Sequence, residues 1–205
     1  MPQNRRNVIR SQELNDEFGI NLIGSYRNYT PKDALQKHNH GNVIEISYCE
    51  SGHQVYTVGE ENYHVSGGEI FITFPYEMHS SSHFPEERGS MYWVQFSLDA
   101  NNLLGFEKKY SDMLKECIMS MYHRHFKITS QSAQKLITAY NFITHKNEFQ
   151  LIMACSLLTL FIYDLAQCTA VPCGKAFSEE IAQCVEYINS NIDKNLSASE
   201  LAARV

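Results

Sequence analysis

Apolar residues follow two different periods along the chain. Between residues 18 and 98 they come in short runs rich in Tyr, Val, Ile and Phe, cut by Gly, Pro and Asn. Residues 43–49, 54–58, 69–74 and 91–98 read as strands, and Gly52, Gly59 and Gly67-Gly68 read as the turns between them. Short strands at such regular spacing predict a sandwich or barrel. From Asn101 the period lengthens to three or four residues. Leu103, Phe106, Tyr110, Met113, Leu114, Cys117 and Met121 then predict one face of an amphipathic helix. Ala133, Leu136, Ile137 and Tyr140 predict a second helix. Residues 149–165 are apolar on most sides, which predicts a helix covered either by the barrel or by a second subunit.

Residues 167–178 carry Pro172 and Gly174 and no period, so they read as a linker. Ser178 with Glu179 and Glu180 suits a helix start, where a hydroxyl meets an orphan N–H and acids suit the dipole. Ile181, Val185, Ile188 and Ile192 come next as one stripe, ended by Asp193-Lys194-Asn195. Ser197 and Glu200 then form a capping box, with Leu196 and Leu201 as its hydrophobic staple. The expected organisation is an N-terminal arm or tail (1–17) carrying Arg5, Arg6 and Arg10, a barrel (18–100), a helical region (101–168), a linker (169–177) and two capped helices (178–205).

Composition narrows the function classes. The 205 residues include 17 Lys and Arg against 23 Asp and Glu, a net charge of −6, which argues against a free-standing nucleic-acid binder. The longest apolar run, 151–163, is interrupted by Ser156 and Thr159 and falls short of the roughly 20 residues a bilayer needs. No apolar segment backs the N-terminal charges, so no signal peptide is read. Six cysteines show no CxxC pair and scattered spacing. Cys49, Cys117 and Cys155 sit within apolar patterns, as buried thiols do, and the expected compartment is the cytoplasm. No Ser/His/Asp order, phosphate loop or dinucleotide fingerprint occurs.

The chemistry-bearing residues lie in the strand-rich half. His38 and His40 share parity on an extended chain, Glu45 comes on the next strand, and His79 comes from another. Three imidazoles and a carboxylate can hold a divalent ion such as Zn, Fe(II), Mn or Ni. The same groups, with Trp93 and Gln95, suit a small polar effector such as a sugar. They also suit a polar interior that satisfies itself.

His38-Asn39-His40, Glu45 and Gly52, then Gly67-Gly68-Glu69, Pro75 and His79, resemble the cupin signature HxH(x)4E(x)6G and its second motif. Lys32 stands where that signature opens with glycine. The step from Pro75 to His79 is one residue shorter, Glu77 replaces a glycine, and the asparagine after the last histidine is missing. GGEIFITFPYEMHS and MYWVQFSL are more similar to the sensor barrels of AraC-type regulators, in which a histidine often stands at the place of Gln95. IAQCVEYINSNIDKNLSASELAARV resembles the first helix, turn and second helix of that family's DNA-binding domain.

The resemblance implies a mainly β plus α chain. A cupin-like β-barrel (double-stranded β-helix) is succeeded by a helical dimerisation and linker region and the first helices of a truncated helix-turn-helix domain. It implies a cytoplasmic, ligand-responsive transcriptional regulator rather than an enzyme or a membrane protein. Its effector would meet His38, His40, Glu45, His79, Trp93 and Gln95. No cofactor is required, and a divalent metal is an optional occupant. The chain would act as a homodimer and reach DNA through a C-terminal part missing after Val205, as in a fragment or truncated gene model. The alternative is a metal-dependent cupin enzyme, an isomerase or oxygenase, using His38, His40, Glu45 and His79.

Overall fold

In the computed structural model the sheet is organised around one long strand. The structure describes residues 3–14, 18–145 and 147–169, together with Tyr187 and Ser197. The chain divides into two compact units after Thr169, and the strands and helices named below all belong to the first. The linker, the two capped helices and their stripe, as well as Cys173 and Cys184, lie outside the described residues.

The strands are β1 (Arg5–Arg10), β2 (Ile20–Asn28), β3 (Lys32–Ala34), β4 (Val43–Val58), β5 (Glu61–Ser66), β6 (Glu69–Thr73), β7 (His79–Ser80), β8 (Pro85–Glu86), β9 (Gly89–Ser97) and β10 (His125–Lys127). The helices are α1 (Lys108–Met119), α2 (Ser130–Thr144) and α3 (Glu148–Thr169). One sheet runs β1-β2-β9-β4-β6-β10, with β5 and β7 also on β4, and β3 pairs with β8 separately. This is a cupin-like fold of mixed β and α content.

The pleat gives the sheet two different faces. Ile44 and Ile46 of β4, Ile70 and Ile72 of β6, and Val94 and Phe96 of β9 join one large core with Leu136, Leu158 and Phe161 of the helices. The intervening residues face the barrel. Tyr26, Cys49, Tyr56, Val65, Phe71 and Met91 form a second, smaller core there, in which the Tyr56 and Phe71 rings stack at 4.5 Å.

Several elements differ from the sequence expectation. β4 is one strand, not two. It pairs with β9 up to Gly52 and with β5 from His53, bulging between Cys49 and Ser51. Gly52 is a kink within a strand, whereas Gly59 makes the turn before β5. Residues 5–10 are not a solvated tail but an edge strand in register with β2. The helix expected from Leu103 starts only at Lys108. Leu103 and Leu104 are buried in a short 3-10 turn, and Leu104 has φ 55, so the periodicity spans a break. Tyr110 and Met113 are consequently exposed. α1 stops at Met119, and His125 lies on β10 beside Glu69.

The Thr129 side chain accepts from Ser132 N–H and caps α2. The Asn147 carboxamide oxygen does the same for Phe149 and Gln150 at the start of α3. α3 is 22 residues long and, by length and composition, could cross a membrane. Its buried side chains, among them Leu158, Phe161, Ile162 and Leu165, join the core shared with α2 and the sheet. Asp164 is bonded to Lys135 and Ser132 of α2. Its other face leaves Phe149, Ile152, Met153, Leu160 and Tyr163 exposed. Spacings of three, four and seven put these on one stripe.

Candidate functional site

The alternation that sends Ile44 and Ile46 to the helices sends Glu45 and Ser47 into the barrel, and β9 does the same with Trp93 and Gln95. On the open side the chain enters through His38 and His40. His38 and His79 face each other as a β-bridge, exchanging backbone hydrogen bonds of 3.0 and 2.9 Å. Their ring centroids are 4.2 Å apart, and that of His40 lies 4.8 Å from His38 and 5.0 Å from His79.

The imidazoles are oriented by their backbone. His38 Nδ1 lies 2.7 Å from the Gln36 carbonyl and His79 Nδ1 lies 3.3 Å from the Glu77 carbonyl. A carbonyl only accepts, so in its neutral form each ring carries its proton on Nδ1 and keeps a lone pair on Nε2. His79 is only 1% exposed, and its Nε2 has no hydrogen-bond partner among the described residues. A buried acceptor without a partner, on a ring whose centroid lies 4.2 and 5.0 Å from those of two other imidazoles, fits a metal ligand. The ligand atoms of His38, His40 and His79 all lie within 4.8 Å of one another. Two nitrogens on one zinc are at most about 4.2 Å apart, so small side-chain movements would close the set.

Glu45 is placed differently. Its Oε2 accepts from Gln95 Nε2 at 2.6 Å and lies 3.3 Å from His40 Nε2. Gln95 is itself fixed, because its Oε1 accepts from Asn21 at 2.6 Å. Glu45 therefore stands behind His40, outside the three-histidine cluster. Burial pushes its carboxyl up, but the hydrogen bond and charge of His40, with the Gln95 donation, outweigh this and hold it below the usual carboxylate range. Burial also lowers the His79 imidazole, against the opposing pull of Glu45.

Both shifts have the same sign for stability. In each case the unfolded chain holds the proton more tightly, so stability rises with pH. The His79 contribution is complete above its unfolded value of 6.5 and is lost as pH falls through its folded value. That of Glu45 is complete above 4.5 and is lost below. Urea midpoints of metal-free protein should therefore fall in two stages on acidification, and His79→Gln should remove the first. A midpoint constant from neutrality down to the carboxylate range would contradict this.

Glu77 shows why the motif departs from glycine at that position. Its carboxylate accepts from Phe74 N–H at 2.8 Å and takes both Arg124 nitrogens, at 2.7 and 2.8 Å. This ties the turn before His79 to the chain entering β10. Arg124→Ala should lower stability by about 1–3 kcal/mol in urea denaturation, because a bidentate charged pair is lost. Arg124→Lys should recover only part of it.

The cavity above the cluster is about 210 Å³. Beside His38, His40, Glu45, Trp93 and Gln95 it is walled by residues that sequence patterning leaves without a role, notably Arg6, Arg10, Tyr26 and Glu86. The alternation of Arg6, Val8 and Arg10 was the available signal for the first two. His79 sits below this wall in the cluster itself. Burial, ahead of the Glu86 charge, pushes the Tyr26 phenol far up, so it remains a neutral donor, aimed at Gln54.

The sequence profile described as AraC-like ligand binding domain matches residues 23–125. A search of curated protein sequences finds no significant match. Among solved structures, a predicted oxalate decarboxylase from Thermotoga maritima is similar over 47% of this chain and 93% of its own, at 16% identity and a TM-score of 0.38. KdgF from Halomonas sp. is similar over 47% and 80%, at 18% identity and 0.36. The Schizosaccharomyces pombe Cnp3 cupin domain is similar over 47% and 66%, at 13% identity and 0.36.

Proposed function

Because the chain belongs to the AraC-like ligand binding domain family, we propose that it is the sensor part of a ligand-responsive transcriptional regulator, not an enzyme, acting in the cytoplasm. The observation that carries this reading is the barrel cavity, where imidazoles, Glu45 and Gln95 converge on one small space. Such a wall suits a small polar effector that arrives with its own donors and acceptors. Effector would shift the balance between two arrangements of the barrel and its helices, which requires different affinity for each.

The exposed stripe of α3 supports a homodimer of this chain. Phe149, Ile152, Met153, Leu160 and Tyr163 contain no ionised group, so two copies can meet there without burying a charge. Leu160→Glu should convert a dimer to monomer in light scattering. DNA contact would be made by a helix-turn-helix domain of which residues 178–205 resemble only the start. The deciding experiment is calorimetric titration of candidate effectors alongside measurement of dimer geometry and operator binding. Effector binding that leaves both dimer geometry and DNA affinity unchanged would overturn the sensor reading.

A second reading is a metal-dependent enzyme, favoured by the orphaned Nε2 of His79 within the three-histidine cluster. His38, His40 and His79 would hold the ion, which would polarise a bound oxygen ligand. Glu45 would then orient His40, and Gln95 would keep Glu45 ionised and in place. Turnover that appears on metal loading and vanishes with a chelator would favour this reading over the sensor.

A further inference from the structure

We propose that the effector is an acid, a small carboxylate whose charged end meets the guanidinium groups of Arg6 and Arg10 at the cavity mouth while its polar body meets the imidazoles below. This rests on the sensor reading and names its ligand class. In the register of β1 on β2, Arg6 lies opposite Tyr26, Val8 opposite Gly24 and Arg10 opposite Leu22. The odd positions turn the other way. Ile9 is buried in the helix-facing core, and Asn7 donates to the Tyr140 hydroxyl of α2 at 2.9 Å. Alternation therefore fixes both guanidinium groups on the cavity side.

Arg6 is held in place there. Its guanidinium carbon lies 5.2 Å from the Tyr26 ring centroid and 5.4 Å from that of Trp93, and its Nη2 donates to Glu86. A guanidinium has five donors in a planar fork, so one bond to Glu86 leaves donors for a ligand. The same arrangement removes Trp93 as a platform for a sugar ring. Trp93 lies over Gly24, where a Cβ would come within 2.5 Å of its ring, and it carries Arg6. What the cavity presents at that point is a cation.

The carboxylates of the wall are already answered. Glu86 is paired with Arg6, and Glu45 is bonded to Gln95 and His40. An entering carboxylate therefore meets two guanidinium groups without an unanswered like charge beside them. In a chain of net charge −6 the cavity wall is balanced, Arg6 and Arg10 against Glu45 and Glu86, and both of its carboxylates are already bonded.

The test is thermal shift and calorimetry on the purified full chain with paired probes: D-galacturonate against D-galactose, lactate against propane-1,2-diol, and benzoate against benzamide. At least one acid should bind and raise the melting temperature while its neutral partner does not. Arg10→Gln should weaken that acid at least about tenfold, while Arg10→Lys, which keeps the charge, retains most of the binding. Urea midpoints of both variants should match the native protein, since Arg10 is exposed on an edge strand. Neutral probes binding as well as their acids, or acid binding untouched in Arg10→Gln, would overturn the acid proposal and leave the sensor reading standing. Failure of all six probes would count against both.

Discussion

Gly52→Ala is expected to destabilise the protein by about 3 kcal/mol, against roughly 1 kcal/mol for Gly59→Ala. Both glycines have positive φ, +82 and +61, so each substitution carries the ordinary left-handed penalty. The difference is space. A Cβ on Gly52 would sit 2.1 Å from the Arg88 carbonyl oxygen and 3.0 Å from Gly89 Cα, whereas nothing lies within 4 Å of one on Gly59. Gly89 is the register partner of Gly52, and its own Cβ would come 2.2 Å from the Ser51 carbonyl. Two backbones touch here because β4 bulges and changes partners at this point. Relief requires moving β4 or β9, and those strands carry Glu45 and Gln95. Guanidinium denaturation of the two variants measures the contrast. Equal losses would show that the close approach at the bulge does not exist.

The same position shows where sequence patterning stops being informative. A glycine between two β-prone runs is the ordinary mark of a turn, and Gly59 and Gly67-Gly68 fit that rule. Gly52 does not, because its reason is the backbone of β9, thirty-seven residues away at Gly89. β1 was illegible for a related cause. Arg5, Arg6 and Arg10 look like a solvated tail until β2 supplies a pairing edge that gives the two faces different fates. The spacing from Leu103 to Met121 is helical on paper, but Leu104 breaks it with a left-handed residue, and Tyr110 and Met113 turn outward.

What was legible depended on short-range alternation. Ile44-Glu45-Ile46 and Val94-Gln95-Phe96 already separate a helix-facing side from a barrel-facing one, so Glu45 and Gln95 could be placed in the interior from their neighbours. His38, His40 and His79 do come together. Their relation to Glu45 was not readable, because it depends on Gln95 and on Asn21, which turns the Gln95 amide so that its nitrogen faces the carboxylate. Nor was the role of Glu77, whose partner Arg124 is distant in sequence.

The histidine cluster gives the other large expected effect. Zinc added to metal-free protein should bind one ion per chain, and His79→Ala should weaken it by more than about 100-fold, ~2.7 kcal/mol. The rings of His38 and His79 are already turned by the Gln36 and Glu77 carbonyls, so their Nε2 lone pairs need little reordering to meet an ion. Removing His79 deletes a donor atom that is buried and has no hydrogen-bond partner among the described residues. Glu45→Gln should do less, about 10–100-fold, because Glu45 acts on the ion only by orienting His40. Competition with a chromophoric zinc indicator ranks the three proteins. An affinity unchanged in His79→Ala would put the ion elsewhere and remove the metal-dependent reading. The predicted order would mean that the barrel can present an ion whose remaining coordination positions are filled by whatever enters past Arg6 and Arg10. A carboxylate is a good ligand for such an ion and for those guanidinium groups alike, so zinc should tighten acid binding in the native protein and leave it unchanged in His79→Ala.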